Sequence, residues 1–226
     1  MNTPDIARVR ADFDEIAALE DVSGSGIDRY DDFLLSLVPD GARTVLDVGC
    51  GVGRLCRAIA RPDRQIVGID LSPGMIRRAE AGPIPPGVSL MCGDFMTAGF
   101  DHEFDCVISA AAMHHLPLAD SFDRLRAFVR PAGRLIVQDL RRDEGVLDQL
   151  RAYTALAHKC AGRFVRTGRL RSPPHVLAVW DRHCAGERYL SWTEAQQLAA
   201  SFAPPAAIHY HWMWRYTIVW DKPGSQ

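Results

Sequence analysis

Basic residues are not in excess in this chain: 26 lysines and arginines against 28 aspartates and glutamates leave a formal net charge of -2 over 226 residues. A surface built mainly to hold a phosphate backbone shows a strong basic surplus, so no nucleic-acid partner is expected. Paired cysteines are missing too. Cys50, Cys56, Cys92, Cys106, Cys160 and Cys184 contain no C-x-x-C spacing, which argues against a zinc knuckle or a redox dithiol and fits reduced thiols in the cytoplasm. No apolar run approaches the roughly 20 residues of a membrane-spanning helix. Met1 to Glu20 carries acids where a signal peptide has a basic start and an apolar core. The expectation is a cytoplasmic protein with no membrane partner.

What is present is ordinary globular composition, 47% hydrophobic and 24% charged, in a length suited to one well-buried core. One domain over 1–226 is expected. Apolar strands alternate with helical patterns, the rhythm of an α/β fold. Strands are predicted at Thr44 to Val48, Gln65 to Asp70, Val88 to Cys92, Asp105 to Ser109 and Arg134 to Asp139. Helices are predicted at Arg54 to Arg61, at Pro73 to about Ala81 with Ser72 as cap, and at about Ala119 to Val129, stopping before a Pro131-Ala132-Gly133 turn. Residues 1–40 read as an N-terminal helical cap. From Arg141 to about 190 the pattern is helical and then irregular, broken at Pro173-Pro174, and reads as a lid or substrate-facing insertion. Ser191-Trp192-Thr193-Glu194 is a capping box opening a helix to about Phe202. Ile208 to Trp212 and Arg215 to Trp220 then make an antiparallel hairpin. The result is a Rossmann-like seven-stranded sheet, mostly parallel.

The run Val45-Leu46-Asp47-Val48-Gly49-Cys50-Gly51-Val52-Gly53 carries the chemistry, together with Asp70 at the end of the next strand. Glycines after a strand permit positive φ and close approach of backbone to ligand, and the following helix presents unsatisfied N–H groups. An acid some 20 residues on accepts from both hydroxyls of a ribose, so the ligand contains a nucleoside. The spacing is G-x-G-x-G with an acid two residues before the first glycine, not the G-x-G-x-x-G of a dinucleotide fold.

This run resembles motif I of the class I S-adenosylmethionine-dependent methyltransferases, and the likeness continues through Cys92-Gly93-Asp94-Phe95, Phe104 to Ser109 and Arg130 to Leu135. Trp214 to Trp220 resembles the last strand of the ubiquinone-methyltransferase-like, small-molecule branch. The resemblance implies S-adenosylmethionine as cofactor and S-adenosylhomocysteine as product. It places Gly49, Gly51 and Gly53, with Asp47, around the methionyl part, Asp70 on the ribose, Leu71 and Met75 beside the adenine, and Asp94 and Phe95 at its edge. Cys50 reads as a small filler of the cofactor loop, not a nucleophile. Ala110 begins the Ala110-Ala111-Ala112 stretch that stands where base N-methyltransferases carry an Asn-Pro-Pro-Tyr type sequence. Tyr30, before the first strand, falls where relatives close an N-terminal helix over the cofactor.

Catalytic candidates follow the fourth strand in Met113-His114-His115-Leu116, because histidine accepts a proton near neutral pH and ligands of open α/β folds bind at this sheet edge. The resemblance implies that His114 or His115 is the base for a hydroxyl acceptor, while a histidine that only caps or packs is the competing reading. It also implies an acid after the fifth strand beside that histidine, and Asp139 occupies the place, either orienting the ring or serving as a strand-end acid bonded to backbone or to Arg141. Lys159, Arg163, Arg166, Arg169 and Arg171 cluster in the insertion, either as a solvated face or as a receptor for an anionic acceptor. Trp180, Trp192, Trp212 and Trp214 are core residues or an aromatic pocket. No metal is expected: His209 and His211 read as one face of a strand.

The function expected is methyl transfer to an O or N atom of a small-molecule acceptor, by a monomer or homodimer. RNA or protein methylation, and cofactor binding without turnover, are the alternatives. An NAD-dependent oxidoreductase is disfavoured by the glycine spacing.

Overall fold

The computed structural model describes residues 5–19 and 30–224. Seven strands form one sheet in the order β3-β2-β1-β4-β5-β7-β6. They are β1 Thr44–Val48, β2 Gln65–Asp70, β3 Val88–Cys92, β4 Phe104–Ala110, β5 Val129–Leu140, β6 Ala207–His211 and β7 Arg215–Asp221. β1 to β5 run parallel, and β7 is antiparallel to both β5 and β6. The central strands are mostly apolar because both their faces are covered: Val45, Leu46, Cys106, Val107 and Ile108 are completely buried, with Asp47 and Asp105 the buried charges among them. Burying a Val, Leu or Ile side chain contributes roughly 1.5–3 kcal/mol.

One face packs on α5 (Leu118–Phe128) and α8 (Trp192–Ala200) through Phe122, Leu125, Ala195 and Ala199. The other packs on α2 (Asp31–Leu37), α3 (Arg54–Ala58) and α4 (Pro73–Glu80) through Leu34, Leu55, Cys56 and Ile76. α1 (Ile6–Ala17) lies on α4 and on α7 (Pro174–Cys184) through Ile16, Met75 and Val179. Asp14 of α1 fixes this docking, accepting from Ser72 Oγ at 2.6 Å and Gly74 N at 2.7 Å. Ser72 caps α4 by accepting from Met75 N. Ser191 and Glu194 form the capping box of α8.

Three expectations change. The Pro131-Ala132-Gly133 turn is absorbed into β5 as an irregularity in its pairing with β4, with Ala132 at φ +60°. The helix after the glycine turn ends at Ala58. Pro173-Pro174 does not break the insertion into irregular chain: it separates α6 (Gly145–Thr167) from α7, with Pro174 at a first-turn position whose missing N–H would have no helical partner. Among the described residues no helix is long and apolar enough to cross a membrane.

Candidate active site

The order of the sheet reverses between β1 and β4, and ligands of open α/β sheets bind beyond the strand ends at such a point. There Gly49, Gly51 and Gly53 take φ of +73°, +54° and +72°. Gly49 N and Cys50 N donate to Ile69 O, at 2.8 and 3.1 Å, folding the turn onto β2. A Cβ on Gly49 would stand 2.3 Å from Ala112 Cβ, whereas one on Gly51 would meet nothing within 4 Å. The second glycine therefore leaves room for a ligand, and the first lets two loops touch.

The turn borders a cavity of about 200 Å³. Three carboxylates face it: Asp47, Asp70 and Asp94. Asp47 is 1% exposed; Cys56 Sγ donates to its Oδ2 at 3.2 Å while Oδ1 has no partner. Burial pushes its carboxyl up to about 7, Cys56 opposing and the Asp70 charge adding to the rise. Asp70 accepts from Gly51 N at 2.8 Å and Ser72 N at 2.9 Å; burial outweighs both and raises it. Asp94 accepts from Met96 N at 2.8 Å. Leu71, Met75 and Phe95 supply apolar wall, Cys50 and Ala110 line the same space, and Val9, Phe13 and Ile16 of α1 close it.

His114 and His115 occupy a single 3-10 turn, Met113–His115, beyond β4. His114 Nδ1 lies 2.6 Å from Asp139 Oδ1, with both side chains nearly inaccessible. Asp139 also accepts from Leu140 N at 2.8 Å. His115 lines the cavity, its ring 3.8 Å from that of His114 and edge-on to Phe13. Burial, reinforced by His114, pushes it down to about 4, so it is neutral at physiological pH. Its Nδ1 lies 3.1 Å from Glu187 Oε2 but is not aligned for a hydrogen bond. Burial raises Glu187, and the neighbouring imidazoles of His115, His114 and His183 together outweigh it and leave the carboxyl low.

His114, His115 and Glu187 together offer three ligand atoms within 4.8 Å of one another. Sequence spacing gave no hint of this cluster, because Glu187 comes from the chain after α7. His183 and Asp12, 3.2 Å apart, extend the same polar seam between α7 and α1. Arg54 also lines the cavity and is ion-paired with Asp31. None of these carried a sequence signal: each is a single polar residue on an otherwise amphipathic helix or loop.

Several other expected residues stand apart from the cavity lining. Gly53 caps α3, where a Cβ would press on Arg57 at 2.9 Å. Tyr30 Oη accepts from Met213 N at 3.0 Å, and its ring lies 4.7 Å from His211, which burial pushes down to about 4. Trp180 lines the cavity, whereas Trp192 packs on Tyr210 and Trp214 donates to Asp143. Lys159, Arg169 and Arg171 are exposed and Arg163 half-buried, none of them at the cavity; the side chain of Arg166 lies outside those described. Asp105, in the stretch expected to carry a family motif, serves the opposite end of the sheet by accepting from Arg43 N and Thr44 N.

Residues 45–133 match the family described as methyltransferase domain. An uncharacterized methyltransferase of Mycobacterium tuberculosis is 36% identical over 111 residues, 48% of this chain and 56% of that protein. The chain thus spans little more than half the length of that relative. A ubiquinone biosynthesis O-methyltransferase of Xylella fastidiosa is 27% identical over 77% of this chain and 80% of its own length. Among solved structures, the DhpI complex with S-adenosylhomocysteine superposes with a TM-score of 0.63 at 16% identity, covering 98% of this chain and 96% of that one, a likeness of fold. Residues 45–133 thus match a methyltransferase domain, and the fold around them is that of a solved S-adenosylhomocysteine complex.

Proposed function

We propose that the protein transfers a methyl group from S-adenosylmethionine to an O or N atom of a small-molecule acceptor, with His114 receiving the acceptor's proton. The lining fits the cofactor group by group. The orphaned Oδ1 of Asp47 is a receptor for the cofactor's ammonium, since a buried carboxylate oxygen without a partner is costly until a cation meets it. Asp70, tethered by two backbone N–H groups, is held to accept from ribose hydroxyls, and Asp94 to accept from the adenine amino group. The open space over Gly51 admits the ligand to the backbone.

The cofactor supplies a methyl already activated by its sulfonium. What the chain adds is alignment of the acceptor with that methyl, and holding two reactants in line is worth about 7–11 kcal/mol. The observation that carries the proton-transfer step is the 2.6 Å His114–Asp139 pair, which is not in the cavity lining but packs directly behind His115, which is. Asp139 takes the Nδ1–H, fixing the tautomer in which Nε2 accepts, and steadies the imidazolium that forms. His114 Nε2 is the atom that would take the acceptor's proton, while the bound cofactor would supply the methyl and a sulfur able to leave with the bonding pair. His115, neutral and packed on Phe13, shapes the wall between cofactor and base.

The test is S-adenosylhomocysteine release with phenols, carboxylates and amines, beside unmodified tRNA and protein substrates. Turnover of small acceptors, reduced in His114→Ala with cofactor affinity kept, is expected. Turnover confined to RNA or protein, or none with any acceptor, would reject the reading.

A further inference from the structure

The exposed large apolar side chains of the described residues concentrate on α6. Val146, Leu150, Tyr153, Ala157, Cys160 and Phe164 follow one another at steps of four and three, the spacing of a coiled-coil seam. Of these, Val146, Leu150, Tyr153 and Phe164 are 54 to 72% exposed. At 100° per residue the seam is opposite the face that holds α6 to the protein. That inner face carries Ala155, fully buried, and Asp148, ion-paired with Arg141 at 2.7 Å and accepting from Tyr210 Oη. Among the described residues nothing buries these four side chains, although monomers rarely leave a contiguous apolar patch beyond a few hundred Å² in water.

We propose that α6 is the interface of a homodimer, packed antiparallel on α6 of a second copy across a twofold axis. A twofold contact requires one self-complementary patch, and this seam has that property. With the axis between positions 157 and 160, the small Ala157 meets the partner's Cys160 at the centre, and Tyr153 meets the partner's Phe164 on either side. The charges agree with that direction. The helix is entered through Asp143 and Glu144 and followed by Arg169 and Arg171, so an antiparallel pair sets each acidic start against a basic end and opposes the helix dipoles. The seam and its flanking Leu147, Leu156 and Val165 expose on the order of 800 Å², the share one partner gives to a standard interface. An anionic lipid surface would also accept apolar and basic side chains, but it demands neither the four-three spacing nor small residues at the centre.

Sedimentation equilibrium of the full chain tests this, with Leu150→Glu and Phe164→Glu, both at exposed positions where the fold is not at stake. A wild-type dimer at micromolar concentration is expected, with the dissociation constant raised roughly 30-fold or more by each substitution, as for a hot-spot residue. Circular dichroism should be unchanged. Arg169→Glu with Arg171→Glu should weaken the dimer most at low salt. A wild-type monomer at all concentrations, or a dimer indifferent to both glutamates, would overturn the proposal. A monomer that co-sediments with phosphatidylglycerol vesicles would reassign α6 to a lipid surface.

Discussion

Gly49 and Gly51 separate the two tasks of the glycine turn, and alanine at each should fail differently. Both sit at positive φ, +73° and +54°, where a side chain costs roughly 1–2 kcal/mol. At Gly51 that is the whole stability cost, because the new methyl meets nothing within 4 Å. At Gly49 the methyl would arrive 2.3 Å from Ala112 Cβ, adding an overpacking cost of roughly 1–3 kcal/mol. Gly49→Ala should therefore lose about 2–5 kcal/mol. Gly51→Ala should lose about 1–2 kcal/mol yet bind S-adenosylhomocysteine at least tenfold more weakly, its methyl occupying space the ligand needs. Equilibrium urea unfolding reads the first quantity and calorimetric titration the second. Equal destabilisation of the two variants, or wild-type affinity in Gly51→Ala, would refute the division of roles.

If Asp47 receives the cofactor's ammonium as proposed, cofactor affinity should depend on pH. Its folded-state value near 7 lies above the ordinary 3.8, so the ligand-free fold favours the protonated acid. The group's contribution to stability is full below 3.8 and lost as pH rises through about 7. Pairing with the cofactor's ammonium needs the carboxylate, so affinity should fall about tenfold per pH unit below that value, with uptake of ligand releasing a proton. Calorimetry across pH should show this slope in wild type and a flat profile in Asp47→Asn. The two histidines should diverge as well: His114→Ala should lower kcat by about 10²- to 10⁴-fold with little change in cofactor affinity. His115→Ala, which opens the cavity wall, should weaken cofactor binding in a titration. Asp139→Asn should depress kcat through the wrong His114 tautomer, and equal rates in Asp139→Asn and wild type would remove its orienting role.

The sheet was legible because its strands are largely apolar runs closed by polar or glycine turns, as at Ile66 to Asp70. The arrangement of the glycine turn was legible because it is local: Asp47, Gly51 and Asp70 belong to consecutive strand–turn units, with Gly51 N donating to Asp70. The His114–Asp139 pair was anticipated from two strand ends that parallel pairing of β4 and β5 brings together. Glu187, Asp12 and His183 were not, since they meet through the docking of α1 and α7, whose relative placement no periodicity encodes. The insertion misled for a physical reason: a proline pair reads as a break, and here its second member opens a helix. Tyr30 shows the limit of position in the chain, because its hydroxyl is committed to the backbone of the β6–β7 hairpin.

The most direct test of the central claim is calorimetric titration of the protein with S-adenosylmethionine, S-adenosylhomocysteine and NADH, repeated on Asp70→Ala. Binding of both sulfur nucleosides at micromolar affinity, lost in the variant, with no heat from NADH, is the predicted result. Binding of NADH alone, or of none of the three, would contradict the account and leave the glycine turn a structural feature of the fold.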